Sequence, residues 1–451
     1  MSAFFLLLLA LIVFAAMFAG MPVYLALGGG ALLAAFVGLV FGAFDPSLLI
    51  AVPIRVIGIA QNETLAAVPF FVLIGTLLDR SGIAGDMIGF LARSGSGRSL
   101  PLAVLAVAVL LAASTGVAGA TIVMLAAVAL PGMQKAGMAR GRAGGLLAAS
   151  GTLGQIIPPS ILLVLLADQV SNAWIEAQRA KGIFAATPIT VADLFAACLV
   201  PGLILAALYA VYIAVSYPAA PDQTGNRKRS VPSPTADSLF AVLAPILLIL
   251  AVLGTILFGV ATPVEASACG AFGALVLAAM RQAKAITGGL LDAVRLTGAI
   301  FAIVIGASMV SLVIRGFDGD TMIAGLLAGD SGQHALLAVM VAIFLLGFVI
   351  EFVEMVYIVI PLAAPPLFAA GVDPIWFAAL VALNLQTSFL TPPFGLSLFY
   401  LRSAAPQLPY GELVAGVVPF ILLQLIGLGL VAAVPALATG LPELLFSRPG
   451  Y

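Results

Sequence analysis

The sequence predicts an all-α integral membrane protein built from two related halves, and three observations lead to this prediction. Hydrophobic residues make up 63% of the 451 residues and charged residues only 8%, and the mean hydropathy is +1.24. Long apolar runs recur along the chain, and a helix needs about 20 apolar residues to cross the hydrocarbon core. Two of the double prolines inside apolar sequence, at residues 158–159 and 392–393, lie 234 positions apart. Because lipid cannot satisfy backbone polar groups and no strand pattern is present, helices are the spanning structure that fits.

The double prolines belong to an internal repeat with an offset of 234 positions. Residues 151–160 (GTLGQIIPPS) align with residues 385–394 (LQTSFLTPPF). A proline frees backbone groups that hydrocarbon cannot satisfy, so such breaks occur only where protein or a solvated cavity surrounds them. Matching breaks in two halves are a sequence signature of the binding site of a secondary transporter. The same offset maps Gly82, Gly85 and Asp86 onto Gly316, Gly319 and Asp320.

The remaining composition argues against several classes of function. The net charge of −1 gives no reason to expect a nucleic-acid partner. His334 is the only histidine, and Cys198 and Cys269 lie in apolar runs, so the sequence offers no histidine- or cysteine-based metal site. No Walker A sequence is present, so we expect the energy source to be an ion gradient or a partner. We expect no enzymatic activity and no organic cofactor.

A polar linker at residues 217–237 separates the two halves. It contains the basic run Arg227-Lys228-Arg229, which the positive-inside rule places in the cytoplasm. The expected divisions are N-terminal scaffold helices at 1–45, the first repeat at 46–190, scaffold helices with the linker at 191–280, the second repeat at 281–410, and a C-terminal helix at 411–451.

Polar residues interrupt an apolar stretch near the start of the first repeat. Residues 61–64 (QNET) lie between apolar runs at 48–60 and 65–78, each of which is too short to span comfortably. This pattern predicts a re-entrant hairpin with a polar tip. The alternative is a surface loop between two short, tilted spans.

Small and hydroxyl-bearing residues at 113–121 (ASTGVAGAT) predict an unwound helix centre that binds a cation. Sodium is a hard ion that prefers oxygen ligands without requiring fixed charge, which suits Ser114, Thr115 and the free carbonyl of Gly116. The alternative is that these residues only allow close helix packing.

The double-proline sites offer a second set of oxygen ligands. Two equivalent polar kinks predict two equivalent sodium sites, and a purely structural kink is the alternative. The predicted sodium ligands at these sites are Thr152, Gly154, Gln386, Thr387, Ser388 and Thr391.

Two carboxylates of the second half, Glu351 and Glu354, fall at membrane depth. A charge at the bilayer centre costs about 2.5–3.5 kcal/mol on insertion scales, so two of them require partners, solvent or protonation. The repeat offset places them opposite Val117 and Ala120, in the broken-helix region. We predict that they are coupling carboxylates, and the alternative is a pair at the membrane–water boundary.

Together these motifs resemble the large membrane subunit of tripartite ATP-independent periplasmic (TRAP) transporters along nearly the whole chain. The segment 384–395 (NLQTSFLTPPFG) and the insertion at 168–193 resemble the branch associated with mannitol, chloroaromatic and 2-oxo acid uptake. Sialic-acid members usually carry a Gly-rich version of the first of these segments, so a sialic acid is not the expected substrate. The matching motifs lie at residues 65–75, 114–121, 151–160, 259–266 and 391–395.

The resemblance implies an elevator-type fold of the ion-transporter superfamily, with inverted repeats, re-entrant hairpins and broken helices. It implies sodium-coupled uptake of an organic acid, such as a 2-oxo acid, by a multi-pass protein of the bacterial inner membrane. The implied partners are a periplasmic substrate-binding protein and a separate small four-helix membrane subunit, and sodium is the only metal. The predicted substrate-binding residues are Asn62, Thr64, Ser114 and Asn384.

Two alternatives remain at this point. A stand-alone, proton-coupled carboxylate transporter of the same fold would use Glu351 or Glu354 as the titrating group, and sodium dependence at fixed pH separates it from the first function. A non-transporting membrane scaffold or receptor is the other alternative, but it has no need of paired polar breaks.

Overall fold

The structure is a computed structural model that describes residues 2–91, 98–115, 118–217, 236–327 and 332–446. Every regular element within these ranges is helical, which confirms the all-α prediction. Most of the basic linker lies outside the described residues.

The first half of the chain runs from α1 to α10. The opening helices are α1 (Ser2–Phe18), α2 (Val23–Val40), a 3-10 turn (Pro46–Ile50), α3 (Ala51–Ala60), α4 (Ala67–Arg80) and α5 (Ile83–Leu91). They are followed by α6 (Ser99–Thr115), α7 (Ala118–Lys135), α8 (Arg140–Thr152), a 3-10 turn (Leu153–Gln155), α9 (Ile161–Ala180) and α10 (Val191–Ser216).

The second half runs from α11 to α21. It begins with α11 (Ala236–Leu257), α12 (Pro263–Arg281), α13 (Ala283–Gly316), α14 (Gly319–Leu327) and α15 (Gly332–Leu346). It continues with α16 (Phe352–Glu354), a π turn (Met355–Val359), α17 (Ile360–Ala369), α18 (Pro374–Leu390), α19 (Leu396–Ala404), α20 (Tyr410–Ala433) and α21 (Ala436–Phe446).

The internal repeat of the sequence recurs in the helix boundaries. α8 begins at residue 140 and α18 at residue 374, so their starts are 234 positions apart. The double prolines lie between α8 and α9 in the first half and between α18 and α19 in the second. Both chain halves are therefore interrupted at equivalent positions.

The described helices include seven that are long and apolar enough to cross a membrane. Shorter apolar helices flank the breaks, among them α15 and α18. The chain is therefore a multi-pass membrane protein in which full spans alternate with broken ones. The seven long helices are α2, α7, α10, α12, α13, the continuous run Phe352–Ala369 and α20.

One pair of equivalent segments differs between the halves. Residues 49–82 comprise the end of a 3-10 turn, α3, the turn at 61–66 and α4, whereas the equivalent residues 283–316 form the single helix α13 of 34 residues. The predicted polar interruption after α3 is present. α3 has no buried residue and packs on α13, while α4 lies in the protein core.

α8 and α20 approach each other through glycines. Gly141 and Gly145 on α8 face Gly416 on α20, and a Cβ on Gly145 or Gly416 would overlap a carbonyl of the other helix. Small residues permit such backbone contact between membrane helices, where packing rather than water drives association. The contact fixes α8, which leads into the first double proline, directly against α20.

Candidate functional site

The helix breaks of the two halves lie against each other. α7, which follows α6, packs on α19, which follows the second double proline. In the same way α9, which follows the first double proline, packs on α16, the π turn and α17. Helices that adjoin the interruptions of one half therefore pack on helices that adjoin the interruptions of the other half.

Tyr400 connects the two halves at this place. Its hydroxyl donates a hydrogen bond to Oε1 of Glu351, at the residue before α16. Its ring lies against Gly119 in the first turn of α7, where an added Cβ would be only 3.0 Å from the ring. A tyrosine of the second half thus touches the start of a broken helix in each half. Sequence reasoning missed Tyr400, because nothing local marks it.

Glu354 is buried one turn beyond Glu351. Its side chain is 2% exposed, and Oε2 has no hydrogen-bond partner among the described residues. A buried carboxylate oxygen without a donor is unfavourable, so this position requires a proton or a ligand. The surroundings of Glu354 therefore argue against the alternative that places this residue at the membrane–water boundary.

The polar side chains before the second double proline bind backbone carbonyls. Asn384 Nδ2 donates to the Met340 carbonyl at 2.7 Å, and Ser388 Oγ donates to the Phe344 carbonyl at 2.6 Å, so both hold α18 against α15. Within its own helix, Thr387 donates to the Leu383 carbonyl at 2.7 Å. Thr391 in turn donates to the Thr387 carbonyl at 2.7 Å. A hydroxyl that donates in this way keeps its acceptor lone pairs, which are the atoms that a cation would use.

Gln386 differs from its neighbours. It is fully buried, and neither its amide nitrogen nor its oxygen has a partner among the described residues. An unpaired buried amide costs free energy, which a ligand or an ordered water would recover. Among the predicted ligands whose side chains the structure describes, Gln386 is the one with unpaired polar atoms at both its nitrogen and its oxygen.

The first double-proline site makes a polar contact with α20. Thr152 Oγ1 donates to the Ala149 carbonyl at 2.8 Å and accepts from Gln424 Nε2 at 3.2 Å. Gly154 lies in the buried 3-10 turn that follows, and the neighbouring Gln155 has a buried side-chain oxygen without a partner among the described residues. Gln424 and Gln155 were missed by sequence reasoning, although Gln155 stands inside the motif that drew attention.

The small-residue stretch of the first half is described only in part. α6 is described as far as Thr115 and α7 from Ala118, so the middle of the predicted unwound centre lies outside the described residues. Ser114 and Thr115 close α6, and Gly116 lies outside the described residues. The roles predicted for these three residues stay predictions.

Asn62 and Thr64 lie in a different polar cluster. Asn62 Oδ1 accepts from the amides of Thr64 and Leu65 at 2.9 and 3.3 Å, and Nδ2 donates to Asp168 Oδ1 at 2.8 Å. Tyr357 in the π turn also donates to Asp168, at 3.1 Å. Both polar atoms of Asn62 are thus engaged within the protein, and Asn62 and Asn384 hold different partners.

A cavity of about 310 Å³ adjoins the Asn62 cluster. It lies between α3, α9, α13 and the π turn, and its lining includes Arg55, Asp168, Glu176 and Arg315. Sequence reasoning missed this cavity. The available signal was Arg55 itself, an ionisable residue within an otherwise apolar run, which is a functional hypothesis by default in a membrane protein.

These features define a class of protein. A multi-pass helical chain with paired interruptions, and with buried polar groups at those interruptions, is the architecture of a secondary transporter. Residues 10–437 match the family described as tripartite ATP-independent periplasmic transporter, DctM component. The chain belongs to this family, which confirms the resemblance seen in the sequence.

Named relatives extend along most of the chain. The C4-dicarboxylate TRAP transporter large permease protein DctM of Pseudomonas aeruginosa is 29% identical over 416 residues, which are 89% of this chain and 91% of that protein. The sialic acid TRAP transporter large permease protein SiaM of Vibrio cholerae is 30% identical over 443 residues, which are 95% of this chain and 96% of that protein. Both relatives transport acids according to their names, and the two acids differ.

The fold also resembles a solved transporter structure. The YdaH transporter of Alcanivorax borkumensis superposes with a TM-score of 0.60 over 90% of this chain and 91% of that one, at 15% sequence identity. At this identity the likeness concerns the fold alone. It shows that the helical fold is shared and carries no information on the substrate.

Proposed function

We propose that this chain is the large permease subunit of a sodium-coupled importer of organic acids in the bacterial inner membrane. The observation that carries the proposal is the pair of equivalent double-proline interruptions, 234 positions apart, each with buried polar side chains beside it. The names of the relatives support an organic acid as cargo. We keep a 2-oxo acid as the proposed substrate, on the sequence of the second double-proline segment.

Sodium is the proposed coupling ion, bound at the interruptions. The proposed ligands need only oxygen atoms, and Thr152, Thr387 and Ser388 each have a buried hydroxyl with acceptor capacity left. Asn384 and Ser114 are kept as substrate ligands, whereas Asn62 and Thr64 are weaker candidates because Asn62 is already bonded to Asp168. The remaining proposed sodium ligands are Ser114, Thr115, Gly116, Gly154, Gln386 and Thr391.

Two sodium ions would make accumulation efficient. Each charge that crosses about 100 mV supplies roughly 2.3 kcal/mol, and a tenfold gradient supplies about 1.4 kcal/mol per ion. Two sodium ions with one monoanion therefore supply roughly 5 kcal/mol, enough for more than about thousandfold accumulation. One sodium ion per monoanion would be electroneutral and supply only about 1.4 kcal/mol.

The proposed assembly contains two partners and one moving part. A periplasmic binding protein delivers the acid, and a small four-helix subunit completes the membrane complex. The repeats at 46–190 and 281–410 together form the transport domain, which moves as an elevator against scaffold helices at 1–45 and 191–280. The proposed boundary at residue 411 needs refinement, because α20 packs along α8 of the first repeat and does not stand apart as a separate C-terminal helix.

Uptake into proteoliposomes tests the proposal. The permease is reconstituted with its small subunit, the binding protein is added outside, and uptake of a labelled organic acid is measured against sodium concentration. Thr152→Ala, Thr387→Ala and Ser388→Ala should raise the sodium concentration for half-maximal uptake. Thr76→Ala is the matched control, because Thr76 is also a buried hydroxyl bonded to a carbonyl three residues back, at 3.2 Å, in α4. Wild-type uptake that does not depend on the sodium concentration would refute sodium coupling.

A proton-coupled transporter is the second candidate, and the unpaired Oε2 of buried Glu354 favours it. Under sodium coupling, Glu351→Gln and Glu354→Gln should lower sodium affinity at every pH. Under proton coupling, one of the two variants should instead abolish uptake that depends on pH and not on sodium. Gln at position 351 can still accept the Tyr400 hydrogen bond, so the substitution removes charge and retains the contact.

A further inference from the structure

The cavity beside α3 combines an arginine pair with donors that lack partners. Arg55 comes from α3 and Arg315 from the last turn of α13, and both line the space of about 310 Å³. Nε of Arg315 and Oγ of Ser308 have no hydrogen-bond partner among the described residues, although both are buried. Arg55 donates to the Ser308 carbonyl at 3.1 Å. Unpaired donors beside two guanidinium groups in a half-open pocket favour an anionic acceptor.

The acidic groups of the cavity do not supply that acceptor equally. Asp168 already receives hydrogen bonds from Asn62, Gln169 and Tyr357, so its oxygens are engaged by neutral donors rather than by the arginines. Glu176 reaches Arg315 at 3.2 and 3.4 Å, with 51% of its side chain exposed. These bonds are long for a charge-assisted pair, and half-exposed pairs of this kind are weak. Glu176 is thus a carboxylate that another carboxylate can replace.

We propose that this cavity is a second binding site for a carboxylate, separate from the helix breaks, in which Arg55 and Arg315 bind the acid and Glu176 competes with it. The volume falls in the range of small-molecule pockets, and the guanidinium fork suits a carboxylate better than a point charge does. That the acid is the transported one rests on the proposed function. The carboxylate chemistry of the site rests on the cavity alone.

The position of the cavity gives it a place in the transport sequence. Glu176 lies near the end of α9, and α10 then runs for 26 residues to the basic linker. A helix of this length measures roughly 39 Å, which crosses the bilayer. The cavity therefore opens on the face opposite the linker, which is the periplasmic face if the basic linker is cytoplasmic. The acid would meet this site before it reaches the breaks.

Equilibrium binding to the purified protein in sodium-free detergent solution tests the site. Succinate and 2-oxobutyrate serve as probes in isothermal titration. Arg55→Gln and Arg315→Gln should each weaken binding by at least about tenfold, which corresponds to about 1.4 kcal/mol. Glu176→Gln should strengthen it by about threefold, because the competing carboxylate of a half-exposed pair is removed. Arg179→Gln is the control, since Arg179 is an exposed cation on the same helix that does not line the cavity.

The arginine variants should weaken binding and Glu176→Gln should strengthen it. Because unfolding could only weaken binding, these opposite changes distinguish a binding site from a loss of structure. If the Arg315–Glu176 pair only holds helices together, Arg315→Gln and Glu176→Gln should lower thermal stability alike, and neither should change binding. That outcome overturns the proposal. So does a wild-type protein that binds neither probe, or binding that survives both arginine variants and is lost in Ser388→Ala, which would move the acid to the helix breaks.

Uptake measurements separate this inference from the importer proposal. If sodium-driven uptake is absent while arginine-dependent binding of the probes remains, the cavity stands and the proposed import function falls. If sodium-driven uptake is intact and its half-saturating acid concentration is unchanged in Arg55→Gln and Arg315→Gln, the cavity is not on the route. The first result would refute the proposed import function, and the second would refute the proposed place of the cavity in transport.

Discussion

Residues 49–82 and 283–316 occupy equivalent positions in the two halves, yet one segment is interrupted and the other is a single helix. The difference begins at residues 61–64 (QNET), whose counterparts are residues 295–298 (RLTG). Asn62 folds back to accept the amides of Thr64 and Leu65, which replaces helical hydrogen bonds with a local cap. Leu296, its counterpart, has no acceptor to offer, and α13 continues.

The comparison shows how a repeat acquires an asymmetric site. The arginine cavity lies where the interrupted segment crosses the end of the continuous helix, with Arg55 and Asn62 from the former and Ser308, Ser311 and Arg315 from the latter. The polar turn contributes groups that a straight helix would place elsewhere, and α13 contributes a fixed wall. The counterparts of Arg55 and Arg315 in the other half are Gly289 and Ser81, so the arginine pair has no equivalent there.

Proline substitution at equivalent positions of the two segments should give the largest difference in stability. Thr297→Pro lies inside α13 and should destabilise the protein by about 3 kcal/mol or more, because it removes a helical hydrogen bond and clashes with the preceding turn. Glu63→Pro, at the equivalent position in the turn, should cost far less. Unfolding of both variants in mixed micelles measures the difference, and equal losses would contradict the assigned asymmetry.

Substitution of two equivalent glycines, Gly316 and Gly82, should lower stability for different physical reasons. Gly316→Ala should cost about 2–3 kcal/mol, because the new Cβ overlaps the buried ring of Phe44. Gly82→Ala should cost about 1–2 kcal/mol, because Gly82 has φ of +74° and open space around it. Substitution to Asn distinguishes the mechanisms: it should partly rescue position 82, where the left-handed conformation is tolerated, and worsen position 316.

The cap at Asn62 should have a moderate effect. Asn62→Ala should lower the free energy of unfolding by about 1 kcal/mol, since the turn amides lose their acceptor. It should also weaken acid uptake, because the turn at 61–66, which follows the helix of Arg55, would lose its hydrogen bond to Asp168. Glu63→Gln is exposed and should change neither quantity. Stability measured together with uptake kinetics tests this, and the reverse ranking of the two variants would reject the role of Asn62.

The smallest effect is expected where the two segments touch at their other ends. Arg80 at the end of α4 donates through Nε to Asp292 of α13 at 2.7 Å, with 53% of the arginine side chain exposed. Exposed ion pairs contribute about 0–1 kcal/mol, so Arg80→Gln should shift stability by less than about 1 kcal/mol. The shift should shrink further in high salt. A loss comparable to that of Thr297→Pro would show that this ion pair has a larger role than its exposure indicates.

The sequence predicted the features that depend on local chemistry. Pro158 and Pro392 lack an amide hydrogen, which favours an interruption. The repeat of the surrounding motif singled out these two sites, whereas α17 continues through Pro365 and Pro366. Family membership was predicted because several such motifs stand at fixed separations.

The features that depend on distant partners could not be predicted. Arg55 meets Ser308 across 253 positions, and Asn62 meets Asp168 across 106. No local pattern shows that Asp168 occupies the amide of Asn62, which weakens the predicted substrate role of that residue. For the same reason the hydrogen bond from Tyr400 to Glu351 was missed, since it joins residues 49 positions apart on separate helices.

The glycine contact between α8 and α20 constrains how the protein can move. Helices that interdigitate through side chains can slide past each other by changing rotamers, whereas a carbonyl seated on a glycine Cα has no rotamer to change. Gln424 and Thr152 add a hydrogen bond along the same contact. α8 and α20 therefore move together as one rigid unit, so displacement of the first double proline is accompanied by displacement of α20. Bending during a transport cycle must then be absorbed outside this unit.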